Sequence, residues 1–221
     1  MKTALVTGSS SGIGQAICHT LKENGYTVVG ISRSSGEILC DLRDTASLHV
    51  KVKELLKTTD IDLLVNCAGL GVFEPHEELS LEKISELIDV NLKAPIILCN
   101  LCLRSLKKTK GHIVNISSIE ATRHSKFSAL YTATKSGLRD FSLALFEELR
   151  RADVRVTTIN PDMTKTAFFD ALNFEPSQKP DTYLLPEDIA NTLLHVVTSP
   201  AVITDITVRA QRFEVTRKNK L

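Results

Sequence analysis

Tyr131 and Lys135 stand four residues apart in Tyr131-Thr132-Ala133-Thr134-Lys135. On a helix that spacing puts both side chains on one face. An ammonium beside a phenol stabilises the phenolate and draws a reference pKa of about 10 toward working pH. Such a phenol can serve as general acid when a carbonyl is reduced and as general base when an alcohol is oxidised.

A second chemical feature lies near the N-terminus, where Thr7-Gly8-Ser9-Ser10-Ser11-Gly12-Ile13-Gly14 joins a short apolar run to a helical pattern. Glycines let the backbone turn sharply and approach a pyrophosphate, and a helix start offers free N–H groups and a positive dipole end. Gly8, Ser10, Ser11, Gly12, Ile13 and Gly14 are therefore expected to hold a dinucleotide. The next apolar run ends in Gly30-Ile31-Ser32-Arg33. A carboxylate there would accept from both ribose hydroxyls and repel a 2′-phosphate. Ser32 and Arg33 occupy the position instead, and a guanidinium fork matches phosphate. NADP(H) is favoured, with NAD(H) as the alternative.

The elements that must position these groups follow from hydrophobic patterning. Ala4–Val6, Thr27–Val29, Ile61–Val65, Ile113–Ile116 and Val154–Ile159 are almost continuously apolar, as strands buried on both faces of a parallel sheet are. Helix-length segments alternate with them over 13–24, 44–57, 80–108, 131–151 and 187–198. Repeated βα units with right-handed crossovers imply a doubly wound α/β fold, a mostly parallel sheet of about seven strands in one domain spanning 1–221. Two segments break the rhythm. Only Ser34-Ser35-Gly36 separates Arg33 from the strand-like Glu37–Cys40, too short for the dozen or so residues of a helical crossover. Residues 166–185 carry Pro176, Pro180, Phe168, Phe169, Phe174 and Tyr183, and a long irregular segment of this kind is expected to wall a substrate pocket.

Composition limits the function classes. Among 221 residues, 27 Lys and Arg face 26 Asp and Glu, a formal charge of +1 that gives no field for nucleic acid or an anionic membrane. No apolar run approaches the roughly 20 residues that cross a bilayer. The odd set Cys18, Cys40, Cys67, Cys99 and Cys102 suits buried thiols in a reducing cytoplasm better than a disulfide framework.

Asn66-Cys67-Ala68-Gly69, Asn91, Ser118 and Tyr131–Lys135, in this order behind Thr7–Gly14, resemble the short-chain dehydrogenase/reductase family. The likeness runs from Lys2 to about Arg209. It implies a Rossmann-fold oxidoreductase interconverting a small-molecule carbonyl and an alcohol, with Tyr131 as general acid/base. It further implies that Lys135 binds the nicotinamide ribose, that Ser118 polarises the carbonyl and that Asn91 orders a proton path to Lys135. By the same resemblance Asn66, Ala68 and Gly69 pack beside the adenosine, Asp41 and Leu42 meet the adenine, and Pro161 and Thr166 lie at the nicotinamide end. The family's usual Pro-Gly after the sixth strand is Pro161-Asp162 here. Family members pair through helices equivalent to 80–108 and 131–151, which implies a homodimer or homotetramer. A protein of another class, a cofactor-binding sensor without catalysis, is the rival reading; intact Ser118, Tyr131 and Lys135 weigh against it.

Other signals are read as structural. Cys99 and Cys102 have redox-motif spacing but lie inside a helical pattern, so they are expected to pack as small apolar thiols. No His/Cys/Asp cluster has metal-ligand spacing. Arg123 and Lys126 could meet an acidic substrate, but they are read as solvated loop charges, and the basic 217–220 tail as solvated too.

Overall fold

The computed structural model describes residues 1–218. Seven parallel strands form one sheet: β1 (Thr3–Thr7), β2 (Thr27–Ser32), β3 (Ile38–Leu39), β4 (Leu63–Asn66), β5 (His112–Ile116), β6 (Arg155–Pro161) and β8 (Asp205–Val208). Their order is β3-β2-β1-β4-β5-β6-β8. The order reverses between β1 and β4, the place where doubly wound sheets open a crevice at the strand C-terminal ends. Six helices cover the two faces: α1 (Gly12–Glu23), α2 (Thr45–Thr58), α3 (Leu81–Ile88), α4 (Ala94–Thr109), α5 (Ala129–Leu149) and α6 (Pro186–Thr198). Strands buried on both sides require two cores. Leu5, Leu64, Leu98 and Ile113 belong to one, and Val6, Val65, Ile17 and Leu193 to the other.

Two departures from the sequence reading, and the tight link that it expected after Arg33, have clear causes. The segment 80–108 is two helices, α3 and α4, joined by a wide turn of π geometry over Asp89–Lys93. The tight link after Arg33 is held by side chains. The Ser32 hydroxyl accepts the Ser34 and Ser35 amides at 3.3 and 3.0 Å, and the Glu37 carboxylate accepts the Gly30 amide at 2.6 Å. These bonds fold β3 back onto β2 without a helix. The C-terminal segment is a paired strand and not a free tail, although the side chains of Val215–Arg217 are exposed. β9 (Val215–Arg217) pairs antiparallel with β7 (Phe174–Pro176), and the Lys218 ammonium donates to the Phe169 carbonyl at 2.6 Å. The last described residues thus strap down the 166–185 segment; 219–220 lie outside the described residues.

His112 shows how deeply the sheet is buried. Its Nε2 is 2.8 Å from the Thr157 hydroxyl, which donates to the Ile203 carbonyl at 2.5 Å, so the ring carries its proton on Nε2. Burial, helped by Arg155, pushes its pKa down to about 3. The unfolded chain takes up a proton near about pH 6.5 and the folded chain does not, so this stabilisation is complete above that pH and is lost as pH falls toward 3. Between pH 6.5 and 5 the loss is about 2 kcal/mol. Urea denaturation at pH 7 and pH 5 should show it, and His112→Asn should narrow the difference.

Candidate active site

The crevice at the sheet's switch point is a single cavity of about 870 Å³. One end is the loop between β1 and α1. Gly8 has φ +70° and Gly12 φ +53°, values that an L side chain rarely adopts. A Cβ on Gly14 would sit 2.1 Å from the Gly8 carbonyl oxygen, and one on Gly8 2.9 Å from the Ala68 Cα. The Ser11 side chain makes no capping bond to α1, and its first turn holds no acidic residue. A backbone cradle with open helix N–H groups and a positive dipole fits a pyrophosphate. Thr7 Oγ1 accepts the Cys67 and Ala68 amides at 3.0 and 3.1 Å, which locks this loop to the end of β4.

Around the cradle the cavity is lined by Gly8, Ser10, Ser11, Gly12, Ile13, Gly14, Ser32, Arg33, Asp41, Leu42, Ala68 and Gly69. Arg33 is exposed, whereas Asp41 is bound by Arg43 through its Nε at 3.0 Å, which holds its carboxyl below the usual range. The Ser32 hydroxyl is used within its own turn, leaving the guanidinium as the phosphate-matching group there. Thr166 leans on the cradle, its Cγ2 placed 3.2 Å from where a Gly12 Cβ would stand.

Ser118, Tyr131, Lys135, Pro161 and Thr166 line the same cavity. Ser118 follows β5 and its hydroxyl accepts the Glu120 amide at 3.2 Å. Tyr131 and Lys135 stand in the first turns of α5, which the Ser117 hydroxyl pins by donating to the Lys135 carbonyl at 2.8 Å. The Lys135 ammonium lies 5.9 Å from the Tyr131 ring centroid and donates to the Ile116 carbonyl at 3.0 Å. The expected acidification of the phenol by this lysine is corrected here. Burial pushes the Tyr131 phenol up to about 12, against the Ser118 hydroxyl that lowers it, and burial brings the Lys135 ammonium down to about 8. Desolvation of the charged form is the largest cause of each shift, with Glu120 adding to the rise at Tyr131.

Two expected site residues lie behind the wall. Asn91 is fully buried on the π turn; its amide group exchanges hydrogen bonds with the Leu70 backbone at 2.8 and 2.9 Å and donates to Thr134 Oγ1 at 3.3 Å. π turns are frequent at functional sites because they redirect one residue out of the regular ladder. The Asn66 side chain turns into the core, donating to Asn115 Oδ1 at 2.7 Å, so its expected place beside a cofactor is corrected to a strand-bracing role.

Phe168, Phe169 and Phe174 of the 166–185 segment do line the cavity, and Phe73 joins them without having had a sequence signal of its own. Phe73, Tyr131, Phe168, Phe169 and Phe174 form a continuous aromatic cluster with centroids 5.1–6.1 Å apart. Arg123 is not a solvated charge: it binds the buried Glu120 at 3.1 Å. Cys99 and Cys102 are free and buried, and burial pushes the Cys102 thiol up to about 12.

Comparison with known proteins agrees with this architecture. An uncharacterised oxidoreductase of Staphylococcus saprophyticus is 34% identical over 230 residues, covering 94% of this chain and 97% of the relative. The alcohol dehydrogenase of the archaeon Thermococcus sibiricus, complexed with 5-hydroxy-NADP, superposes with TM-score 0.85 at 28% identity, covering 97% of this chain and 99% of that one. A metagenomic short-chain oxidoreductase in complex with NADP gives 0.79 at 30% identity, over 96% and 97% of the two chains. Residues 2–39 and 37–176 match the short chain dehydrogenase family. With that match spanning most of its length, the chain belongs to the short-chain dehydrogenase family.

Proposed function

We propose that the protein is an NADP(H)-dependent oxidoreductase that interconverts a small-molecule carbonyl and an alcohol. The observation that carries this reading is the meeting of Ser118, Tyr131 and Lys135 with the glycine cradle in one cavity. The nicotinamide, when bound, supplies or accepts the hydride. The Ser118 hydroxyl donates a hydrogen bond to the substrate oxygen. The Tyr131 phenol, neutral over the physiological range, gives its proton to that oxygen in reduction and recovers it in oxidation. Lys135 holds positive charge beside the phenol, and the aromatic cluster keeps water away.

Solved relatives carrying NADP support the cofactor preference, as does the chemistry at the end of β2. The nearby carboxylates are already engaged: Glu37 by the Gly30 amide, Asp41 by Arg43. Arg33→Ala should therefore weaken NADPH binding about 10–100-fold, the scale of losing charge-assisted hydrogen bonds, and shrink its advantage over NADH. Paired fluorescence titrations check this; equal affinities for both cofactors before mutation would turn the reading to NAD(H).

A cytoplasmic homodimer or homotetramer is part of the same reading. Among the described residues no helix is long and apolar enough to cross a membrane. Ile96, Ile97 and Leu103 on α4 and Phe141, Leu143 and Phe146 on α5 are only half-buried, which supports a partner copy over these helices. Sedimentation at micromolar protein should give a dimer mass or larger.

A further inference from the structure

The segment between Ser118 and Tyr131 brings a charge into the cavity that the proposed chemistry does not use. Arg123 lines the cavity. Its Nε donates to Glu120 Oε1 at 3.1 Å, its Nη2 reaches Asp162 Oδ1 at 3.5 Å, and its guanidinium lies 5.1 Å from the Phe213 ring centroid. Glu120 and Asp162 are both buried. A guanidinium carries five N–H donors, and these contacts occupy only two of them. Among the described residues no protein acceptor meets Nη1. Two carboxylates and an aromatic ring thus hold a long side chain in place while it stays 32% exposed. Ordering such a chain is a main cost of any contact it makes, and here the fold has already ordered it.

The two acids do not cancel its attraction for an anion. Asp162 also binds Arg209 Nε at 3.0 Å, so the four groups resolve into two neutral pairs, Glu120 with Arg123 and Asp162 with Arg209. Beyond them Lys126, Arg217 and Lys218 also line the cavity. Of these three only Lys218 has a carboxylate within ion-pair reach among the described residues, Glu175 at 3.8 Å. The surplus of charge is positive. The aromatic cluster around Tyr131 lines the same cavity, and Phe73 and Phe168 give it an apolar wall.

We propose that the substrate is an anionic carbonyl or hydroxy compound, a carboxylate on an apolar body of ring size, and that Arg123 is the residue that selects it. This deepens the oxidoreductase reading and rests on it. Arg123 forms a forked contact that a neutral isostere cannot return.

The probes are 4-formylbenzoate and its methyl ester, alike in ring and aldehyde and different in charge, each reduced with NADPH. The acid should show a kcat/KM at least about 10-fold above the ester, carried by KM, the scale of one charge-assisted contact. Arg123→Gln should lower the acid-to-ester ratio about 10–100-fold. Arg123→Lys should restore part of it, since lysine keeps the charge and loses the fork. Arg123→Gln leaves Glu120 buried without its cation, so the double variant Glu120→Gln/Arg123→Gln is measured beside it and should lose the same selectivity.

Equal use of both probes by the unmodified enzyme, or a ratio unmoved in both variants, overturns the proposal. The oxidoreductase reading would then still stand, provided that Tyr131→Phe abolishes reduction of both probes. If neither these probes nor a broad aldehyde and ketone panel is reduced, the oxidoreductase reading fails. Calorimetric titration of benzoate against methyl benzoate then decides the role of Arg123. Tighter benzoate binding that is lost in Arg123→Gln supports it, and equal binding overturns it.

Discussion

Replacing Tyr131 by Phe should leave NADPH binding close to that of the unmodified protein and lower turnover of any carbonyl substrate by about 100- to 10,000-fold, the range of a positioned general acid. The ring contributes to the packing of Phe73 and Phe168, and phenylalanine keeps it. Only the hydroxyl is lost. The pH profile gives the same residue a second signature. Burial holds the phenol near 12, so its protonated form is fully present at neutral pH and reduction has its proton donor there. Oxidation needs the deprotonated form, whose fraction rises about tenfold per pH unit below the pKa. The oxidative rate should climb with pH while the reductive rate does not. Lys135, brought down to about 8, loses its charge across the same alkaline range, and the reductive rate should decline above that pH. Steady-state rates in both directions between pH 6 and 10 measure this, and a Tyr131→Phe enzyme with undiminished turnover would remove Tyr131 from the chemistry.

The second large effect is expected at Gly14. A methyl group there would stand 2.1 Å from the Gly8 carbonyl oxygen and 2.7 Å from its carbon, far inside contact distance. Gly8 cannot retreat, because it is hemmed in by Ala68 and depends on a φ of +70°. Gly14→Ala should therefore spread the cradle and strip amide contacts from the pyrophosphate. Losing two such charge-assisted hydrogen bonds weakens cofactor binding about 100-fold or more. The overpacking should also destabilise the fold by about 1–3 kcal/mol. Gly25→Ala is the matched control. Gly25 has φ +80° with open space around it, so the variant pays backbone strain far from the cavity and should keep its cofactor affinity. Titration of NADPH, with thermal melts alongside, separates the two costs.

What the sequence determined about this protein is what short stretches of chain can specify. Alternating apolar runs and helical patterns are enough to name a doubly wound sheet, since strands without a polar face must be covered twice. The glycine spacing of Gly8, Gly12 and Gly14 predicts a turn and a helix start, both local events. The i, i+4 spacing places Tyr131 and Lys135 on one face of α5. The tertiary structure alone decided what those groups become, because burial and partners come from residues far away in the chain. The phenol rises to about 12 because neighbouring elements exclude water, which no property of residues 131–135 announces. Asn66 turns inward because Asn115, 49 residues later, offers an acceptor. Asn91 is spent on Leu70, and Arg123 is clamped beside Asp162, 39 residues on. The C-terminal strand reads as a charged tail until Phe174–Pro176 gives it an edge to pair with. Long-range pairing sets the charge and reach of this site, and that information does not lie along the sequence.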